Sequence, residues 1–249
     1  MQSAPFFSIV IPVYNEAENI EPMVREIQAA FRDRPEAYEV IFVDDASSDD
    51  SPAVLRRLTS ETGGLVRSLR HRRNFGQSAA VATGFRAARG EWIGTLDGDG
   101  QNDPADLPRM LDEACRLQVD CVTGVRARRQ DSALRRISSR VGNGFRNWAT
   151  GDRVTDSACG VRVVRAACVR ELPVFNGLHR FMPTLLRTKG YRVVETAVNH
   201  RPRLRGVSKY GVHNRLWRGI RDCFGVRWLA ARALPADRLE EEGGQGQDG

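Results

Sequence analysis

At 249 residues, with 41% hydrophobic and 28% charged content, the chain has material for one large domain with a sizeable core, and its composition excludes a disordered or fibrous protein. A net charge of +7 and a pI near 9.6 point to an anionic partner: a nucleotide, a membrane surface or a nucleic acid. That pointer is blunted because Lys189 and Lys209 are the lysines among 38 basic residues, so a lone arginine says little about phosphate.

Cys115, Cys121, Cys159, Cys168 and Cys223 are odd in number and lack Cys-x-x-Cys spacing, which fits buried thiols rather than a disulfide frame or a zinc site. His71, His179, His200 and His213 are scattered and offer no His-x-x-x-His pair. The apolar run near the N-terminus has no basic region before it and reads as a strand rather than a leader, and no stretch of about 18 apolar residues is present to span a bilayer.

In chain order, Phe6 to Val13 is an apolar run expected as a strand buried on both faces, closed by Pro12. Asn15 with Glu18 has the form of a capping box opening a helix that runs to Phe31. Tyr38 to Val43 is a second strand ending in Asp44-Asp45, and the Ser47 to Ser51 cluster with Pro52 starts the next helix. Leu65 to Leu69 forms a third, shorter strand. A small-residue helix follows over Ser78 to Ala88, and Glu91 to Gly94 leads into Thr95-Leu96-Asp97-Gly98-Asp99-Gly100-Gln101. Asp103-Pro104 opens another helix, and Val119 to Gly124 is a fifth strand.

Beyond Gly124 the rhythm breaks. A helix is expected over Ala133 to Trp148, a short strand over Val161 to Val164 with a short helix after it, a helix over Arg180 to Thr188, and an edge strand over Tyr191 to Val198. His200 to Tyr210 is a basic, Gly- and Pro-containing loop with the character of an anion clamp. Over Val212 to Arg232, Leu216, Ile220 and Phe224 recur at spacing four with Trp217, Trp228 and Leu229 nearby. Arg215, Arg218, Arg221, Arg227 and Arg232 interrupt them. Such a helix suits a membrane interface or docking on the core. Residues 233–249 read as a disordered tail.

Strand–helix alternation predicts an α/β fold with a mostly parallel sheet and helices on both faces. Ligands of such sheets sit beyond the carboxyl ends of the strands, which gathers Asp44-Asp45, Asp97-Gly98-Asp99 and Arg126 along one crevice. Asp-x-Asp alone is common in solvated turns. At the end of a buried strand, with a second aspartate pair and arginines around it, it can hold Mg²⁺ or Mn²⁺ with sites left open for a diphosphate.

Together these stretches resemble the family 2, GT-A-fold glycosyltransferases, and within them the dolichol- and polyprenyl-phosphate sugar transferases. The matching residues are Ile11-Pro12-Val13-Tyr14-Asn15-Glu16, Val43-Asp44-Asp45-Ala46-Ser47, Leu96-Asp97-Gly98-Asp99-Gly100-Gln101, Thr123-Gly124-Val125-Arg126 and Arg203-Leu204-Arg205-Gly206-Val207-Ser208-Lys209. They cover roughly residues 6 to 230, in order, and the last narrows the resemblance to lipid-phosphate acceptors. The resemblance implies that Pro12, Tyr14, Glu16, Val43 and Asp45 hold base and ribose, with Asp97, Gly98, Asp99 and Arg126 on the rest of the nucleotide-sugar. Asp97, Asp99 and Gln101 surround the metal, and Arg180, Arg203, Ser208 and Lys209 receive the acceptor phosphate. Relatives often have Ala and Leu at Gly98 and Gly100, which implies a looser loop here. Many also carry C-terminal transmembrane helices, so membrane contact falls to the amphipathic helix or to a partner.

On this reading residues 1–211 are a GT-A catalytic domain, 6–125 its nucleotide-sugar half and 126–211 its acceptor half with the basic loop at 200–211. Residues 212–232 form a membrane-interface helix at the inner face of the cytoplasmic membrane. The expected reaction is inverting transfer of a sugar from a UDP- or GDP-sugar to a polyprenyl phosphate. Asp97, Asp99, Arg126 and Lys209 are the catalytic candidates, and Asp156 is the candidate base if the acceptor is a hydroxyl. A hydroxyl acceptor and a catalytically silent nucleotide-binding scaffold stay open, as do a membrane partner protein and a homo-oligomer. Nucleic acid is not an expected partner, since no aromatic–basic interleaving is present.

Overall fold

The computed structural model describes residues 4–126, 133–170, 172–202 and 213–233; for 133–141 and 213–218 it describes the backbone alone. Seven strands form one sheet: β1 (Phe7–Val13), β2 (Tyr38–Asp44), β3 (Val66–Arg70), β4 (Trp92–Thr95), β5 (Cys121–Arg126), β6 (Arg162–Arg165) and β7 (Val193–Val198), in the order β3-β2-β1-β4-β6-β5-β7. All neighbours run parallel except β6, which lies antiparallel between β4 and β5. The mostly parallel α/β architecture therefore holds, with β7 on an edge as expected.

The apolar run of β1 is wholly buried apart from a partly covered Pro12, because the strand is central and covered on both faces. One face packs α1 (Ala17–Ala30), α2 (Ser51–Glu61) and α4 (Asp106–Leu117) around Phe7, Ile9, Ile11, Phe42 and Trp92. The other packs α3 (Gln77–Ala87), α6 (Ala166–Arg170) and α7 (Leu178–Thr188), with parts of α5 (Ala133–Thr150) and α8 (His213–Ala230), around Val10, Ile41, Val43 and Ile93. At the amino ends of the strands, Glu39 accepts hydrogen bonds from Ser8 Oγ (2.8 Å) and the Arg89 amide (2.8 Å) and pairs with Arg67 (2.6 Å), a structural polar cluster far from the crevice.

Pro12 does not close β1. It stays in register with Val43, and β1 runs on to Val13. Proline is tolerated there because pairing with β4 has already ended at Val10–Thr95, leaving no ladder bond for its missing N–H to make. Asn15 is not the cap of α1 either: Glu16 takes that position. Asn15 adopts a left-handed backbone (φ 53°), which asparagine accepts readily. Its side-chain oxygen accepts from the Ser48 amide at 2.7 Å. The first amide of α1, Ala17 N–H, is capped instead by Asp49 from the next loop (3.1 Å).

Helix α8 docks through Cys223 and Val226, which join the core, while Phe224 and Trp228 of the same helix stand 53% and 60% exposed. The 216–220–224 stripe is thus not the buried face at Phe224; docking selects Cys223 and Val226. The basic loop from Arg203 onward and the C-terminal tail lie outside the described residues.

Candidate active site

The crevice forms where β1, β2 and β4 end side by side. The β1 and β2 loops are stitched together: Asn15 N–H donates to Ser47 Oγ (2.8 Å), Glu16 N–H to Ser51 Oγ (3.0 Å), and Asp45 N–H to the Val13 carbonyl (2.8 Å). Tyr14 stands 38% exposed at the mouth, and the Glu16 carboxylate accepts from Asn19 Nδ2 at 2.7 Å. Val43 is fully buried, its side chain in the core beneath the crevice.

Asp44 and Asp45 are both buried; Asp45 is engaged through both oxygens, whereas Asp44 Oδ2 makes no hydrogen bond among the described residues. Asp44 accepts from the Ser47 amide (2.9 Å) and pairs with Arg70 (3.1 Å). Asp45 accepts from the amides of Phe75 (2.9 Å) and Gly76 (2.7 Å) and pairs with His71 Nδ1 (2.6 Å), whose Nε2 meets Thr83 Oγ1 at 2.9 Å. This carboxylate fixes the loop between β3 and α3 against the end of β2, so the crevice wall is preorganised.

Asp97 follows β4. Its backbone amide donates to Asn102 Oδ1 (2.7 Å), and its carboxylate accepts from Gln77 Nε2 (2.8 Å). Burial and the neighbouring Asp99 charge push its carboxyl up to about 6, against the attraction of Arg162 and Arg126. The Asp99 charge raises the cost of ionising Asp97, a cost that a cation would relieve. Asp97 and Asp99 supply hard oxygens suited to Mg²⁺ or Mn²⁺, and among the described residues no cluster of three or more His, Cys, Asp or Glu forms a closed metal cage.

Two glycines shape the turn. Gly100 has φ 70°, a left-handed backbone. Gly98 is not loose: a Cβ there would come within 2.7 Å of the Pro12 carbonyl, so this residue lets the aspartate turn close against β1. The looser loop expected from glycine at 98 is not what this contact shows, and alanine here would require the backbone to move.

Gln101 ties the turn to the chain after β7. Its carbonyl accepts from the Arg201 amide (2.8 Å), its Nε2 lies 3.3 Å from the Arg201 carbonyl, and Asn102 bridges His200. Arg201 is itself held by Glu26 (2.6 Å) and Asp103 (2.8 Å). The basic loop thus starts from an anchor on the aspartate turn; Arg203, Ser208 and Lys209 lie beyond the described residues.

Arg126, at the end of β5, is gripped by Asp156 in a fork: Nε donates to Oδ2 at 2.7 Å and Nη2 to Oδ1 at 2.8 Å. Asp156 is 3% exposed. Arg180 sits on α7, next to His179. Residues that the sequence did not single out complete the site. Gln77 and Asn102 orient Asp97, and Gly160 presses so closely on the Asp97 carboxylate that a Cβ would overlap it. Arg162 on β6 acts electrostatically on Asp97. The Cys121, Cys159 and Cys168 thiols are pushed up to about 12, 11 and 12 by burial and stay protonated.

Residues 8–171 match the family model described as Glycosyl transferase family 2. The chain belongs to glycosyl transferase family 2. Among curated relatives of this glycosyltransferase chain, a dodecaprenyl-phosphate galacturonate synthase of Rhizobium johnstonii is 37% identical over 225 residues, covering 89% of this chain and 66% of the relative. An undecaprenyl-phosphate 4-deoxy-4-formamido-L-arabinose transferase of Pseudomonas fluorescens is 39% identical over 203 residues, covering 82% and 59%. The chain therefore spans about two thirds or less of the length of these relatives. In fold it is similar to a mannosyltransferase of Pyrobaculum calidifontis solved with GDP-Man and Mn²⁺ (TM-score 0.62, 22% identity, 93% of this chain and 65% of that one). It is also similar to a mannosyl-3-phosphoglycerate synthase of Rubrobacter xylanophilus (TM-score 0.65, 16% identity, 96% and 78%). The sheet is thus a GT-A glycosyltransferase fold, with Asp97-Gly98-Asp99 at its crevice.

Proposed function

We propose that this chain transfers a sugar from a nucleotide-sugar to a polyprenyl phosphate, with inversion, at the membrane surface. The observation that carries the reading is the Asp97–Asp99 pair: one buried carboxylate held near a pKa of about 6 by burial and its twin, at the end of a parallel-sheet strand, with Arg126 and Arg162 behind it. Asp97 and Asp99, with Gln101 beside them, would hold Mg²⁺ or Mn²⁺, which supplies charge neutralisation at a departing nucleoside diphosphate.

The chain's own residues do the rest. Tyr14, Glu16 and the wall fixed by Asp45 flank the nucleotide. A phosphate monoester has a second pKa of about 6 and is largely ionised at neutral pH, so it attacks without a strong general base. The difficulty is repulsion between acceptor phosphate and donor diphosphate, and preorganised cations oppose it. Arg126, Arg180, Arg203 and Lys209 are assigned that task, with Ser208 as a further donor. Asp156 holds Arg126 in place by accepting its fork and takes no proton in this scheme. The relatives' names, one dodecaprenyl and one undecaprenyl phosphate, support a lipid phosphate over a glycan hydroxyl.

Among the described residues no helix is long and apolar enough to cross a membrane. The proposed membrane contact is peripheral, through Trp148 of α5 (68% exposed) with Phe224 and Trp228 of α8; Arg232 lies over the Trp228 ring at 5.3 Å, as a snorkelling cation would. Incubating the protein with radiolabelled UDP- and GDP-sugars, undecaprenyl phosphate and Mg²⁺ or Mn²⁺ tests the reading. A metal-dependent, organic-extractable product supports it; no product with any donor sinks it.

A further inference from the structure

On the sheet face that carries α3, α5 and α7, a group of buried cations has no acid paired with it among the described residues. Arg162, 3% exposed, opens β6 in register with Thr95 of β4 and Thr123 of β5. Val161 and Val163 belong to the core on the α1 side, so strand alternation turns Arg162 to the opposite face. There, among the described residues, no hydrogen bond or ion pair reaches its guanidinium, and Nε is buried without a partner.

Its surroundings repeat the pattern. Arg146 of α5, 6% exposed, also has a buried Nε without a partner among the described residues; its Nη atoms there meet the Arg180 carbonyl and Asn147 Oδ1, each at 3.4 Å, and its guanidinium lies over the Phe181 ring. Thr123 Oγ1, in register with Arg162, is a further buried polar atom without a partner among the described residues. His179 meets Ser78 Oγ at 2.8 Å, and burial together with Arg180 and Arg162 holds it neutral, so it adds no opposing or further charge.

Burying a guanidinium without a counter-charge is expensive. Asp152, the acid nearest in effect to Arg146, is already committed to Arg187 (2.8 Å) and Thr184 (2.6 Å). Asp97 is the acid that feels Arg162, and it is the carboxylate assigned to the cation. A guanidinium fork with a threonine hydroxyl beside it matches the several acceptor oxygens of a phosphate.

We propose that Arg162, with Thr123 beside it and Arg146 and Arg180 behind, is a substrate-phosphate-binding residue of this enzyme, on the sheet face next to Asp97. The inference rests on the transferase reading above and extends it to residues that the sequence motifs do not contain. The phosphate comes either from the acceptor monoester or from the donor diphosphate.

The test is calorimetric titration of the full chain, in Mg²⁺, with UDP, GDP and geranyl phosphate as probes and geraniol as the uncharged control. Arg162→Gln is expected to remain folded by circular dichroism, because the guanidinium it removes makes no hydrogen bond or ion pair among the described residues. It should lose at least tenfold in affinity for geranyl phosphate, which assigns the acceptor, or for the nucleotides, which assigns the donor. Arg162→Lys should recover part of the loss and carries the same comparison if the glutamine variant is unstable. Affinities within twofold of the unmodified protein for all probes overturn the assignment of Arg162 alone. Unmodified protein that binds neither nucleotide nor geranyl phosphate overturns the transferase reading, and this inference with it.

Discussion

Replacing Asp97 with asparagine should stabilise the metal-free protein while abolishing its activity. The Asp97 carboxyl is moved from its ordinary 3.8 to about 6 by burial and by Asp99. Between those values the folded chain keeps a proton that the unfolded chain has released, so stability falls as pH rises through the window and the loss is complete above about pH 6. At 1.4 kcal/mol per pH unit, ionised Asp97 costs the fold about 3 kcal/mol. Asparagine removes that cost and keeps an oxygen for Gln77, but turns an amide toward cations, so a net gain of about 1–3 kcal/mol at pH 7.5 is expected. For a chain of this size that is a rise of roughly 3–10 °C in melting temperature. Melts of both proteins in EDTA at pH 4, 5, 6 and 7.5 read it directly. Contributions from other groups, such as the neutral His179, cancel in the difference. The gain should be absent at pH 4 and full at pH 7.5. A variant that is less stable at pH 7.5, or a difference that ignores pH, would refute the reasoning.

Four further outcomes follow from the same geometry. Gly160→Ala should displace the Asp97 carboxylate and lower turnover by about 10²-fold, the scale of an ångström of misplacement, with the fold retained by circular dichroism; activity within threefold would contradict the contact. Asp99→Ala should abolish metal-dependent turnover without unfolding, and unchanged activity would remove the metal assignment. Lys209→Ala should reduce transfer to lipid phosphate at least tenfold while nucleotide affinity stays within about twofold; equal losses would count against the clamp. Phe224→Ser with Trp228→Ser should weaken sedimentation with anionic lipid vesicles several-fold and leave the melting temperature within about 2 °C, as befits exposed side chains; unchanged sedimentation would move membrane contact elsewhere.

The parts of this molecule that were legible in its sequence are those governed by local pattern. Apolar runs before Asp44 and Asp97 marked central parallel strands, and the carboxyl-end rule gathered the aspartates and Arg126. What escaped is non-local. The four residues of β6 give no sign that they insert antiparallel between β4 and β5, and that insertion is what sets Gly160 against Asp97 and buries Arg162 beside it. The cap of α1 came from Asp49, across 32 residues, where a local rule pointed to Asn15. Gly98 looked like slack near a ligand, whereas the Pro12 carbonyl explains it. Helix α8 showed amphipathicity without an orientation, because only docking decides between Cys223 with Val226 and Phe224 with Trp228.

The chemical identity of the acceptor is what the proposed function stands on. Parallel incubations of the protein, an active nucleotide-sugar donor and Mn²⁺ with undecaprenyl phosphate or with undecaprenol, the products analysed by mass spectrometry, test it most directly. The expected product is a sugar joined through one phosphate to the lipid, formed from undecaprenyl phosphate alone and lost in EDTA. A glycosylated undecaprenol, or donor hydrolysis that ignores the lipid phosphate, would contradict it.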